Sequence, residues 1–272
     1  MHSPLTVATF RRKLLEVLKG EEEDVTVEFE NVSPEVAKQC DELLSEGSLR
    51  GRRFRFFYNA SSCTLRVFAM PSKLHECFSD AMFRSFAHWT PLLPPSWEED
   101  LQLEPSIRIG EFEAPYAGSE KEPDWSVSPT EAAFPSVVLE VGVSEAYSQL
   151  LVDKDVWLIG SGGATKVVIL VKVRRLGSST AAFMEIWRQG QDSARRVTIL
   201  PALEDSEELE EDPYILLKDL YGDEPVPAGF GPNTRLPITL SSLRLSVDKA
   251  TRGMAAVDRR VEARREAARL RV

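Results

Sequence analysis

The chain has 272 residues, 43% hydrophobic and 28% charged, enough to bury a sizeable core without disulfide or metal staples. Three cysteines, Cys40, Cys63 and Cys77, show no CxxC spacing; this excludes a disulfide scaffold and a zinc ribbon and fits reduced thiols in an intracellular compartment, cytoplasmic or nuclear. The net charge of −10 argues against a general nucleic-acid coat, although RGRRFRFFY (50–58) and RRVEARREAARLR (259–271) leave room for a local basic groove.

No run approaches the roughly 18 apolar residues of a membrane span, and the N-terminus lacks a signal-peptide core, so no membrane contact is expected. ATFRRKLLEVLKG predicts a short amphipathic helix ended by Gly20 and an acidic linker. SPEVAKQCDELLSEG (33–47) predicts a second, with Ser33 as N-cap, Pro34 at the first helical position and Gly47 as stop. RRFRFFY and TLRVFAM then form a hairpin around NASSC. The alternation in the first strand puts Arg53, Arg55 and Phe57 on one face, as in an Arg-studded edge strand. Pro71 and Ser72 introduce a third helix, KLHECFSDAMFRSFAHW, whose apolar residues recur at three- and four-residue spacing.

A Pro-rich connection and a strand-like IRIGEFE lead to the apolar strand SVVLEV. A helix of about fifteen residues follows from Glu145 to Ile159, with Ser144 as cap, and GSGG stops it. KVVILVKV returns as a strand, which makes the two strands parallel through a right-handed crossover. AAFMEIWRQ and RRVTILP extend the sheet as an antiparallel pair. EDSEELEED (204–212) predicts a solvated acidic loop. The tail is one charged helix whose seam, Val247, Ala250, Met254, Val257 and Val261, suits packing on another helix or a homodimer.

Strand alternation puts Val137, Leu139 and Val141 on one face and Val138 with Glu140 on the other. An ionised carboxylate buried alone costs several kcal/mol or neutralises, so Glu140 requires a cation. Asp124 lies sixteen residues earlier in a segment able to pair with the Glu140 strand as a hairpin. Two converging acids suit Mg²⁺, which takes one or two carboxylates and completes its shell with water and phosphate. The alternative is a buried Glu140–Lys172 ion pair with no chemistry, because Lys172 shares a strand face with Val168 and Leu170.

PD at 123–124 followed by E-x-G at 140–142 in an apolar strand resembles the PD-(D/E)XK nuclease superfamily, and most closely its Uma2-like and related fungal nuclease-like proteins. VFAMPSKLHECFSDAM is similar to that family's strand ending in Met-Pro and its helix opened by a His, here His75. PSVVLEVGVSEAYSQLLVDKDVWL and KVVILVKV are similar to its Glu strand, crossover helix and next strand, so the resemblance covers about residues 65–173.

The resemblance implies an α/β fold with a restriction-endonuclease-like αβββαβ core and mixed sheet, extra N-terminal helices and a long C-terminal helix. It implies a metal-dependent nuclease acting with Mg²⁺ or Mn²⁺, on DNA more than RNA, with Asp124 and Glu140 as metal ligands and Glu76 as an additional acid through water. The motif lysine falls at Gly142, which can do no acid–base work. Lys154, fourteen residues after Glu140 in the helix, is the family's substitute position, and Lys172 competes for the role. Lys154 also shares a helical face with Tyr147, Leu150, Leu151, Trp157 and Leu158. Gly142 and the acidic surface equally suit a catalytically inactive nuclease fold kept as a binding or regulatory module. GSGGATK is a helix stop and turn, since a phosphate loop lies between a strand and a following helix. The expected organisation is an N-terminal helical extension (1–48), the nuclease-like core (49–200), an acidic loop and segment packing on it (201–246), and the charged helix (247–272).

Overall fold

Two patterns partition the chain: apolar runs buried on both faces, which make a sheet interior, and three- and four-residue spacing, which makes the covering helices. The computed structural model describes residues 5–17, 19, 24–45, 54–69, 72–176, 179–201 and 211–269. Gly20 and residues 21–23, Gly47, Pro71 and most of the acidic loop, 204–210, lie outside the described residues.

The chain opens with α1 (Val7–Val17), β1 (Val25–Phe29) and α2 (Pro34–Ser45), followed by the hairpin β2 (Phe54–Asn59) and β3 (Thr64–Ala69). β1 corrects the expectation of a purely helical extension. It pairs antiparallel with β3, Val25 opposite Ala69 through Phe29 opposite Leu65, giving the order β1-β3-β2. Its five-residue alternation was masked by the acidic residues on both sides. Phe10 and Leu14 of α1 and Cys40 of α2 pack on Phe29, Phe56, Tyr58, Leu65 and Val67 to form a core of their own.

The third helix, α3 (Lys73–Trp89), starts as its sequence dictates: Ser72 Oγ accepts from the His75 backbone N–H at 3.2 Å. A 3-10 turn at Thr90–Leu92 and the short α4 (Trp97–Asp100) lead into the main sheet. Its strands are β4 (Leu101–Leu103), β5 (Trp125–Pro129), β6 (Val137–Gly142), β7 (Val167–Leu176), β8 (Ser179–Arg188) and β9 (Arg196–Leu200), side by side in that order. β4 has no counterpart in the sequence expectation. IRIGEFE, expected as a strand, contributes only an isolated bridge from Ile109 to Lys121.

All neighbours in this sheet are antiparallel except β6 and β7, which run parallel through the crossover helix α5 (Tyr147–Leu158). The helix begins two residues after Glu145. Ala146 is its N-cap position and the Gln149 side chain accepts from the Ala146 N–H, while the expected cap Ser144 donates to the Asp24 carbonyl instead. β10 (Tyr214–Leu216), α6 (Leu217–Tyr221), β11 (Arg235–Pro237) and α7 (Leu240–Arg269) complete the chain. Among the described residues no helix is long and apolar enough to cross a membrane.

The two faces of the sheet lead to two cores. Val137, Leu139 and Val141 meet α3, α6 and α7, whereas Val138, Val168 and Leu170 meet Leu150, Val156 and Trp157 of α5. α7 starts earlier than expected because Leu240 and Leu243 also enter the first core, beside Val247 and Ala250. That half of its seam is therefore used within the chain. Glu140 belongs to the α5 face, where complete burial of each Val or Leu stabilises by about 1.5–3 kcal/mol and an unpaired charge would undo several such gains.

Candidate functional site

β5 and β6 pair with Trp125 opposite Leu139, so Asp124, one residue earlier, stands across from Glu140. The Asp124 N–H donates to the Leu139 carbonyl at 3.1 Å, and Asp124 Oδ2 accepts from the Val141 N–H at 2.6 Å. The carboxylate thus takes the place of a ladder carbonyl where the β5–β6 pairing ends. Ser79 of α3 donates to the Asp124 carbonyl at 3.1 Å and fixes the turn from below. Asp124 and Glu140 line one cleft with about 30 Å³ of free space, walled by Arg55, Phe57, His75, Lys121 and Glu145. That volume holds a water molecule or a small ion.

The cation beside Glu140 is Lys121. Its Nζ lies 3.2 Å from Glu140 Oε1 and 3.2 Å from Asp153 Oδ2, and Trp157 Nε1–H donates to Glu140 Oε1 at 2.5 Å. Arg66 extends the network: it pairs with Asp153 and, at 3.0 Å, with Glu145 Oε1. Phe57 floors both cations, with Arg66 at 4.3 Å and Lys121 at 4.4 Å from its ring centre. All five ionisable side chains are buried.

Two cations face three carboxylates here, and the surplus shows in their protonation. Burial, reinforced by the charge of Asp153 and opposed by Arg66, pushes Glu145 up to about 8. Burial also raises Glu140, opposed by Lys121. Burial would raise Asp153 as well, but Arg66 and Lys121 overcome it and hold that carboxyl below its usual range.

Asp124 has a different set of partners. Arg55 of β2 pairs with its carboxylate and donates to Glu76 Oε1 at 3.2 Å. His75 Nε2 lies 3.4 Å from Asp124 Oδ2, while the buried His75 Nδ1 makes no hydrogen bond among the described residues and stands 3.8 Å from Glu76. Each carboxylate of the pair therefore has its own basic partner.

No family model matches the chain, and no curated protein does.

The remaining sequence candidates lie apart from the acid pair. Lys154 pairs with Asp155 at 2.6 Å and sits 4.4 Å over the Trp187 ring. Lys172 donates to the carbonyls of Gly142 and Val143 at 3.3 and 2.9 Å, so the alternative of a Glu140–Lys172 ion pair is not formed. Burial lowers the Lys172 ammonium, partly offset by Glu145. Gly142, at the motif lysine's position, faces Leu150: a Cβ there would stand 2.9 Å from Leu150 Cδ1. Glu76 is half exposed and pairs with Arg55 and lies 3.8 Å from His75, the two basic neighbours of Asp124.

Lys121, Arg66 and Asp153 were not singled out from the sequence. Lys121 reads as one charge among many in SEKEPD, and only the tertiary fold buries it. Asp153 had a signal, because the spacing Leu150, Asp153, Trp157 places an acid on the apolar stripe of α5.

Among the described residues no group of three or more His, Cys, Asp or Glu side chains is arranged around a common ion position. Mg²⁺ needs less, one or two carboxylates with water and phosphate completing its shell. Asp124 and Glu140 supply two hard donors at one cleft, and Glu140 Oε2 has no hydrogen bond among the described residues. The donor set fits a hard divalent ion that retains most of its water.

Proposed function

We propose that the Asp124–Glu140 cleft is a metal-dependent phosphodiester-hydrolysing site on a restriction-endonuclease-like core. The observation that carries this is the placement of two carboxylates opposite each other where the β5–β6 ladder stops, beside the parallel crossover and next to a buried lysine. Apart from the short α4, the order α3, β4, β5, β6, α5, β7 supports the αβββαβ core, and the preference for DNA over RNA rests on the family resemblance alone.

Asp124 and Glu140 would hold Mg²⁺ or Mn²⁺, which supplies Lewis acidity toward a phosphodiester and eases deprotonation of water at neutral pH. The Val141 N–H and the Trp157 indole fix the two carboxylates at one oxygen each. Lys121 opposes the rise that burial imposes on Glu140 and gives the cleft the positive charge that Gly142 cannot. Among the three lysines it is the one within ion-pair reach of Glu140, so the motif lysine's part falls to Lys121 rather than to Lys154 or Lys172. Glu76 acts through Arg55.

A second reading has its own observation. Arg55 already neutralises Asp124 and Lys121 already neutralises Glu140, which is how an inactive nuclease fold serving as a binding or regulatory module would balance the same acids.

Thermal unfolding with and without millimolar Mg²⁺ or Mn²⁺ separates the two. A ligand that binds the native state raises its stability by mass action. The hydrolytic site predicts a rise in Tm that Asp124→Asn abolishes; no rise in the wild type would favour the module.

A further inference from the structure

The side chain that occupies Asp124 is itself a phosphate-binding group. Asp124 Oδ2 is committed to the Val141 N–H and lies against His75 Nε2, so Oδ1 is the oxygen open to an ion, and Arg55 is on it. A guanidinium and a divalent cation repel each other and compete for that oxygen. The same guanidinium matches a phosphate in shape, through two parallel N–H donors. Arg55 lies on β2, an edge strand of its sheet, and already leans toward the solvent side through Glu76 Oε1 at 3.2 Å.

We infer that Arg55 is an internal counter-ion that a phosphodiester draws off Asp124, so that metal and substrate phosphate bind cooperatively and the empty site holds metal poorly. This rests on the metal-dependent reading above and adds its regulation. The transfer makes and breaks no covalent bond. One ion pair, Arg55 with Asp124, is exchanged for two, Arg55 with phosphate and the metal with Asp124. Glu76, half exposed beside Arg55, keeps the guanidinium within reach of the cleft in either position.

The test is a Mn²⁺ titration of the full chain, followed by the paramagnetic signal of free Mn²⁺, with and without a saturating phosphorothioate-linked thymidine dinucleotide. In the wild type the dinucleotide should tighten Mn²⁺ by about tenfold or more, within the usual range of coupling between two sites. By reciprocity Mn²⁺ should tighten the dinucleotide by the same factor. Arg55→Gln should bind Mn²⁺ more tightly than the wild type when the dinucleotide is absent, and should lose most of the coupling.

Equal Mn²⁺ affinity in both proteins, or wild-type affinity that ignores the dinucleotide, would overturn the inference and leave the metal site standing. No Mn²⁺ binding under any of these conditions would remove the metal site and the inference together. The wild-type comparison needs no variant, so the test survives if Arg55→Gln fails to fold.

Discussion

Lys121 Nζ stands 3.2 Å from Glu140 Oε1. This contact explains how a carboxylate survives in an otherwise apolar strand: the charge is balanced by a lysine from the loop that precedes β5, and no residue of the neighbouring strand β7 takes part. The lysine is in turn shared with Asp153, so helix, loop and strand are tied at one point.

Removing that lysine should therefore be costly. Lys121→Met leaves Glu140 and Asp153 with less compensation in a buried setting, and breaking such a pair typically costs about 3–5 kcal/mol. Adding Glu140→Gln should recover part of the loss, because the two residues interact directly. Lys172→Met, which gives up hydrogen bonds to two carbonyls and the attraction of Glu145, should cost less than Lys121→Met. Urea unfolding of the four proteins checks the order, and a greater loss for Lys172→Met would contradict it.

Glu145 should make the fold weaken as pH rises. Its carboxyl is raised to about 8 in the folded protein, so between roughly pH 5 and 8 the native state keeps a proton that the unfolded chain releases. The stabilisation is complete below the ordinary carboxylate range and is lost as pH climbs through the folded value. Across that window the loss should be on the order of a few kcal/mol. Glu145→Gln should flatten this slope in urea midpoints measured from pH 5 to 8; an unchanged slope would show that another group is responsible.

Gly142 is held small by its neighbour. A Cβ would meet Leu150 Cδ1 at 2.9 Å, and crowding of this kind costs about 1–3 kcal/mol. Gly142→Ala should destabilise by that amount, and Gly142→Ala with Leu150→Ala should lose less than the sum of the two single changes. A simple sum would mean that Leu150 does not set the limit. The same crowding makes it physically unfavourable to place a lysine at this position without repacking α5.

Much of this arrangement was legible in the sequence where one local period governs. The hairpin, α3 with its Ser72 cap, the parallel β6–α5–β7 unit and the position of Asp124 opposite Glu140 all follow from alternation, capping and spacing. β1 was not legible, because its five alternating residues sit in an acid-rich stretch that reads as a linker. The identity of the compensating lysine could not be read either. Lys172 shares a strand pattern with its neighbours and looked buried for that reason, whereas Lys121 is buried only by the packing of Phe57 and α5 around it. The α7 seam carried a mixed message: Val247 and Ala250 serve the chain's own core, so a homodimer through that seam would have only the part beyond Met254, beginning with the exposed Val257.

Truncation after Met254 should thus leave the fold intact, since the core residues of α7 are retained. If a homodimer forms through the distal helix, the truncated chain should elute as a monomer on sizing. An unchanged assembly after correction for mass would place any dimer contact elsewhere.

The most direct test of the proposed hydrolytic site is cleavage itself: nicking of supercoiled plasmid and cutting of labelled single strands, with Mg²⁺ or Mn²⁺, by the wild type, Asp124→Asn and Glu140→Gln. The site at β5 and β6 predicts metal-dependent cleavage by the wild type that falls at least about a hundredfold in each variant, the scale of losing a group that acts in the transition state. No cleavage with either metal, or equal cleavage by all three proteins, would contradict it.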